Sequence, residues 1–269
     1  MLMSLAHVPV LLYHGVRDRP VPGLERWTVT PAAFGAHVAA IAASGRTPLT
    51  MSALAAALKG AAPLPEAPMA ITFDDGWADT RPAVERLAAR GIASTTYVQT
   101  GRLGEDDRLD RAGVRALDAL GEAAEVGAHS VDHARLDGLT GIPLEREVAG
   151  SKAYLEELLG HAVEGFAYPY GAHDARSRAA VVAAGFEHAA AAKGALSHAG
   201  DDPYAIARWT VTADTTADQL ALVLDGDEVP VVRASEKPPT LRDRVGGLVH
   251  RSGFGRLTRW GSQIPRAGK

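Results

Sequence analysis

The 269-residue chain contains no cysteine. That absence removes a disulfide framework, an iron–sulfur cluster, a thiol nucleophile and any Cys-ligated zinc site. A bound metal would have to be held by His, Asp or Glu. Aromatic residues are scarce at 6%, but 46% of residues are hydrophobic and 22% charged, a balance that allows a sizeable core and excludes disorder, collagen and coiled coil. Long hydrophobic runs are missing as well: nothing approaches the roughly 18–20 apolar residues that cross a bilayer as a helix. No Lys or Arg precedes the apolar run Val8–Tyr13, which is short for a secretory core and lacks a small-residue cleavage site. The run reads as a buried strand, and the expected location is cytoplasmic.

The charge is unevenly placed. The net charge is −4, yet residues 237–269 carry +7 (Lys237, Arg242, Arg244, Arg251, Arg256, Arg259, Arg266 and Lys269 against Asp243), leaving −11 for residues 1–236. Pro238 and Pro239 mark the break, and Leu241, Val245, Leu248, Val249, Phe254, Leu257 and Trp260 interleave with the arginines. A basic amphipathic segment of this kind suits peripheral contact with the anionic inner face of a membrane; a solvated extension weakened by Gly246, Gly247, Gly253 and Gly255 is the alternative. Nucleic acid is not an expected partner, because the body is acidic and carries no reader motif.

The body alternates between two periodicities. Apolar runs at 8–13, 69–73, 93–98, 124–127, 163–167, 188–192 and 205–211 read as buried strands, and amphipathic patterns at 31–44, 51–59, 80–90, 111–120, 143–159, 174–184 and 216–224 read as helices. Strand and helix succeed one another seven times, which predicts an α/β domain over residues 1–236 with a parallel sheet and helices outside it. Chemistry in such folds gathers at the C-terminal ends of the strands. His14, Asp74, Asp75, His129, His133 and Tyr168–Gly171 fall at those ends, and Arg208 lies within the last strand run.

Two patterns stand out. Asp74-Asp75 ends an apolar strand and is followed by Gly76, so the two carboxylates are free to serve different partners, one a cation and the other a water. His129 and His133 are the only histidines among ten that stand four apart. On one helical turn this spacing puts both imidazoles on one face within reach of one ion, and two imidazoles with one carboxylate leave a coordination position for water, as in a catalytic zinc site.

The strings Thr72-Phe73-Asp74-Asp75-Gly76, His129-Ser130-Val131-Asp132-His133 and Phe166-Ala167-Tyr168-Pro169-Tyr170-Gly171 resemble, in order and context, the polysaccharide deacetylases of carbohydrate esterase family 4, the NodB-homology domain. The resemblance covers about residues 8–225. It implies a distorted seven-stranded (β/α) barrel and metal-dependent removal of acetyl from an N-acetylated sugar. Zinc is the implied metal, with cobalt or nickel as substitutes. Carried over by motif, Asp75, His129 and His133 would bind the metal and Asp74 would be the catalytic base. Two departures follow. The Leu-x-His motif that the family usually carries after its last strand has its counterpart at the front, where Leu12-Tyr13-His14 has that form, as in the permuted poly-N-acetylglucosamine deacetylases, making His14 the candidate general acid. The arginine usual in the third motif is Ala167 here, and Arg208 is the candidate to hold Asp74 ionised in its place. The backbone N–H of Tyr170 is the expected oxyanion donor, and Leu12, Trp77 and Trp209 are candidates to line the acetate or sugar pocket. A related amidase acting on a small N-acyl metabolite and a non-catalytic carbohydrate-binding protein are the rival readings.

Overall fold

Residues Pro68–Phe73 are buried at all six positions, which requires a strand covered on both faces. The computed structural model, which describes residues 7–226 apart from 106, 193 and 199, makes that strand the middle of a curled parallel sheet. In chain order the strands are β1 (Val10–Tyr13), β2 (Thr47–Leu49), β3 (Pro68–Phe73), β4 (Ser94–Val98), β5 (Ala124–Ala128), β6 (Gly165–Ala167), β7 (His188–Ala190) and β8 (Trp209–Thr210). Seven of them run in the spatial order β7-β6-β5-β4-β3-β1-β8, and β2 pairs with the first half of β3. The first strand therefore lies between the second long strand and the last one. Ahead of β8, Ile206 bridges to Ala190 of β7, so the stretch 206–210 touches both edges of the sheet and curls it into the expected distorted barrel.

Outside the sheet lie α1 (Pro31–Ala43), α2 (Met51–Leu58), α3 (Thr80–Ala88), α4 (Arg111–Asp118), α5 (Gly141–Leu159), α6 (Ala175–Ala183) and α7 (Ala217–Asp225). Their starts are chemically marked. Thr30, Thr50 and Asp110 each accept a backbone N–H three residues on, and Asp174 and Thr216 form complete capping boxes. Each such cap contributes about 1 kcal/mol.

Alternation along the strands sorts the core into two. Leu11, Tyr13, Met69, Ile71 and Phe73 belong to the large outer cluster with the helices. Val10, Ala70, Tyr97, Ala167, Ala190 and Ile206 form an inner cluster closed by Met51, Leu54 and Ala55 of α2. The inner residues are mostly small because the barrel is narrow. Gly127 is a glycine because a Cβ there would sit 2.6 Å from the Tyr97 ring. At the N-terminal end of the barrel, Glu125 accepts hydrogen bonds from Ser52 N–H (3.0 Å), Ser52 Oγ (2.6 Å) and Thr95 Oγ1 (2.9 Å), a carboxylate placed at the N-terminus of α2.

The expected seven strands and seven helices all occur. The run 8–13 is broken at Pro9, so Val8 pairs with Ser197 in a separate antiparallel ladder. Thr47–Leu49 was not among the expected strands, being three residues long with proline at its centre. Among the described residues no helix is long and apolar enough to cross a membrane. The basic tail 237–269, with its expected membrane contact, lies outside the described residues.

Candidate active site

The C-terminal ends of β3 and β5 converge. After β3 the chain turns through Asp75 and Gly76, both with positive φ (71° and 66°), a conformation that Asp tolerates and Gly adopts freely. The turn sends the two carboxylates to different partners, Asp74 into the barrel and Asp75 toward the histidines. His129 follows β5 directly, and its ring is fixed by a 2.8 Å contact from Nδ1 to the Ala167 carbonyl. A carbonyl only accepts, so Nδ1 carries the proton and the Nε2 lone pair is left available to an ion beside Asp75. Nε2 of His129 is 3.6 Å from Asp75 Oδ1, and Nε2 of His133 is 3.2 Å from the same oxygen. Ligand atoms of Asp75, His129 and His133 all lie within 4.8 Å of one another. Ligands bonded at about 2.1 Å around a tetrahedral ion stand about 3.4 Å apart, so the donor set fits one divalent cation.

The expected helical turn between the two histidines does not form. Ser130 and His133 adopt positive φ (63° and 57°), and residues 129–133 make a tight loop instead. The reason is local: Ser130 Oγ accepts the His133 N–H at 3.0 Å, competing with a helical hydrogen bond. The imidazoles still meet, with ring centres 4.9 Å apart.

Arg208 is wholly buried and forks onto Asp74, with Nη1–Oδ1 2.7 Å and Nη2–Oδ2 2.8 Å; its Nε donates to the Ala191 carbonyl and Nη1 also to Thr72 Oγ1, both at 3.1 Å. Burial alone would raise the Asp74 carboxyl, but Arg208, with His129, holds it below the usual carboxylate range. Asp75 is likewise held well below its usual range: burial pushes it up, and His133, His14 and His129 overcome that push.

His14 ends β1, next to β3, where the Asp74 N–H donates to the Tyr13 carbonyl. Its ring leans on Trp27 (centres 5.6 Å apart), and its Nδ1 is buried with no hydrogen-bond partner among the described residues. Burial lowers its pKa below 6.5, against the opposing pull of Asp75 and Asp74. Tyr170 stands at φ 60° in a Pro169–Gly171 turn, half exposed, with its ring edge-on to His133 (4.6 Å). A tyrosine held there costs of order 1–3 kcal/mol, the kind of strain found at functional sites. Gly171 is required after it, since a Cβ would lie 2.5 Å from the Ala192 N.

The three pocket candidates separate. The Trp77 indole N–H donates to Asp75 Oδ2 at 3.1 Å, so it orients a candidate ligand, and the same ring borders a small cavity with His14, Arg17 and Trp27. Leu12 is buried in β1, paired with Thr72 of β3. Trp209 corrects the expectation: it packs in the outer cluster with the helices, because Arg208 takes the inward position and the next side chain must point out. Sequence reasoning missed Trp27, Glu147 and Arg108, whose guanidinium carbon stacks 3.5 Å from the Trp77 ring centre while Nη1 donates to the Asp75 carbonyl at 2.6 Å. None of these three sits in a motif; only folding brings them to the site.

Burial drives His129 down to about 4, Asp74 and Asp75 opposing and His133 assisting. The folded protein thus favours the neutral ring. With the folded pKa below the unfolded value near 6.5, this contribution is complete above pH 6.5 and is lost as pH falls toward 4, about 3 kcal/mol over that window. Urea unfolding of metal-free protein at pH 7 and pH 4 should show that loss, and His129→Gln should have a shallower pH slope. Equal slopes would refute the assignment.

Residues 61–189 match the family model for polysaccharide deacetylase. That match, over just under half of the chain, bears out the family resemblance read from the three motifs. The Bacillus subtilis (strain 168) protein YxkH, named for the same family, is 25% identical over 183 residues, 68% of this chain and 63% of that protein, so the match spans less than two thirds of its relative. Among solved structures, BC0361, a polysaccharide deacetylase from Bacillus cereus, is 25% identical with TM-score 0.71, covering 81% of this chain and 69% of that one. Two others share the fold: Streptococcus pyogenes deacetylase PplD in complex with acetate (TM-score 0.75, 18% identity, 82% and 99% covered) and IcaB from Ammonifex degensii (TM-score 0.70, 23% identity, 81% and 97% covered). The NodB-like barrel expected from the motifs is therefore the fold of the described residues.

Proposed function

We propose that this domain is a metal-dependent hydrolase that removes the N-acetyl group from an N-acetylhexosamine-containing glycan or glycoside. The observation that carries the reading is the placement of a buried, arginine-paired carboxylate, Asp74, 3.8 Å from Nε2 of His129 in the Asp75–His129–His133 set. Those three residues would hold a divalent ion, with zinc favoured by the donor set and cobalt or nickel as substitutes. Such an ion supplies a Lewis acid and an acidified water at neutral pH.

The chain's own residues supply the proton handling. Asp74, kept anionic by Arg208, accepts the proton of the attacking water at a carboxylate oxygen. So strongly paired a carboxylate is a weak base, which suits a water already made acidic. The Tyr170 turn, fixed by Pro169 and Gly171, offers its backbone N–H to the oxygen that gains charge as the amide carbon becomes tetrahedral. The departing amine needs a proton before it can leave, and His14, on the strand beside Asp74, delivers it. Trp27 and Trp77 flank His14 and narrow the approach to it.

The direct test is acetate release by protein loaded with zinc, cobalt or nickel and by chelated protein, on N-acetylglucosamine oligomers, sugar nucleotides and small glycosides. Release from the sugars, abolished by chelation, is expected. Release from small N-acyl metabolites alone would replace the carbohydrate substrate, and glycan binding without release at full metal occupancy would remove the hydrolytic activity. His14→Ala is expected to lower amide turnover about 10²–10⁴-fold while sparing an activated aryl acetate, whose leaving group needs no proton. Equal loss on both substrates would take the acid role away from His14.

A further inference from the structure

The buried carboxylate of Glu147 on α5 touches none of the proposed reacting groups, yet it faces the loop between the two histidines. Glu147 is 1% exposed, and its Oε2 accepts the N–H groups of both Val131 (3.1 Å) and Asp132 (2.8 Å). On the other side of that loop the carbonyls are held as well. Thr100 N–H donates to Ser130 O at 3.1 Å and Gly101 N–H to Val131 O at 2.9 Å. Gly101 permits this approach, because a Cβ there would lie 2.6 Å from Val131 O. Arg146 spans the outer edge, with Nη1 2.7 Å from Asp132 Oδ2 and 3.3 Å from Glu147 Oε1.

A five-residue loop with two non-glycine residues at positive φ is not a low-energy conformation on its own. Its two central amides, of Val131 and Asp132, both donate to Glu147 and would lose that acceptor without it. One carboxylate oxygen receiving both fixes the direction of successive peptide planes, and so the separation of His129 from His133. We infer that Glu147 is a positioning residue for metal capture: it holds the loop in the shape that presents two imidazoles to one ion. The inference rests on the metal-hydrolase reading above.

The test is titration of the metal-free full chain with Co²⁺, followed by its visible absorption, and with Zn²⁺ by competition. Glu147→Ala is expected to weaken affinity about 10–100-fold and to alter the cobalt spectrum. Glu147→Gln keeps an oxygen for the two amides but turns an NH₂ toward Arg146, and a smaller loss of about threefold is expected. Leu155→Ala, two turns further along α5 and buried in the core, lowers stability without touching the loop and should keep wild-type affinity at a temperature where it is folded. Affinity of Glu147→Ala within twofold of wild type, or an equal loss in Leu155→Ala, overturns the inference. Should Glu147→Ala fail to fold, Glu147→Gln decides, and unchanged affinity and spectrum there refute the role. A wild-type protein that takes up neither ion brings down the metal-hydrolase reading itself, a separate result from wild-type binding with unaffected variants.

Discussion

Arg208→Met is expected to destabilise the protein by about 3–5 kcal/mol and to move the acid limb of its pH–rate profile upward. Removing the guanidinium leaves Asp74, 3% exposed, as a buried anion whose paired partner is gone. The protein has two responses. At high pH the charge persists and the folded state bears its desolvation cost; at lower pH the carboxyl takes up a proton and the cost falls. The sign of the kinetic effect follows. In the wild type Arg208 holds Asp74 below the usual carboxylate range, so the base remains ionised well into acid. Without Arg208, burial acts unopposed by its largest partner and the carboxyl titrates at higher pH, so activity is lost at a pH where the wild type still works. Arg208→Lys should restore part of the charge but not the bidentate fork, and fall between the two. A variant with an unmoved acid limb and unchanged rate would show Arg208 to be scaffolding only.

This arginine illustrates how the sequence divides into what can be read and what cannot. The helix caps, the apolar strand runs and the three motifs are local patterns, and each came out where its residues placed it. Asp74 and Asp75 at the end of β3 and His14 at the end of β1 follow from strand boundaries alone. Arg208 lies 134 positions from Asp74, and what joins them is that β8 returns to lie beside β1 while β1 lies beside β3. The motif departure at Ala167 signalled a missing cation, and the inward parity of residue 208 supplied it. The same parity, read one residue further, would have sent Trp209 to the outer core.

The loop of His129–His133 fails for a different reason. A spacing of four fits a helical turn, but it fits equally a tight loop with two positive-φ residues, and periodicity cannot separate them. What selects the loop is the clamp supplied from elsewhere: Thr100 and Gly101 after β4, and Glu147 from α5. None of those contacts leaves a local signature. Trp27 on His14 and Arg108 on Trp77 are hidden in the same way, as single side chains in irregular segments that become neighbours only when strand ends assemble.

Asp74→Asn is expected to abolish measurable deacetylation, a loss beyond about 10³-fold, while leaving metal affinity near wild type. Asparagine keeps the shape of the side chain but cannot accept the water's proton, and the proposed ligands Asp75, His129 and His133 are untouched. The complication is structural, since the substitution leaves Arg208 buried with a neutral partner and should lower stability by several kcal/mol. The double variant Asp74→Asn/Arg208→Met resolves it: with neither charge buried, stability should recover relative to Asp74→Asn, whereas turnover should not. His129→Ala gives the contrasting pattern, losing metal and turnover together. Metal content by atomic emission, melting temperature and acetate release, measured on the same preparations, separate the three outcomes. If the double variant regained activity along with stability, Asp74 would be a structural partner of Arg208 and the base would have to be sought elsewhere among the groups around Asp75.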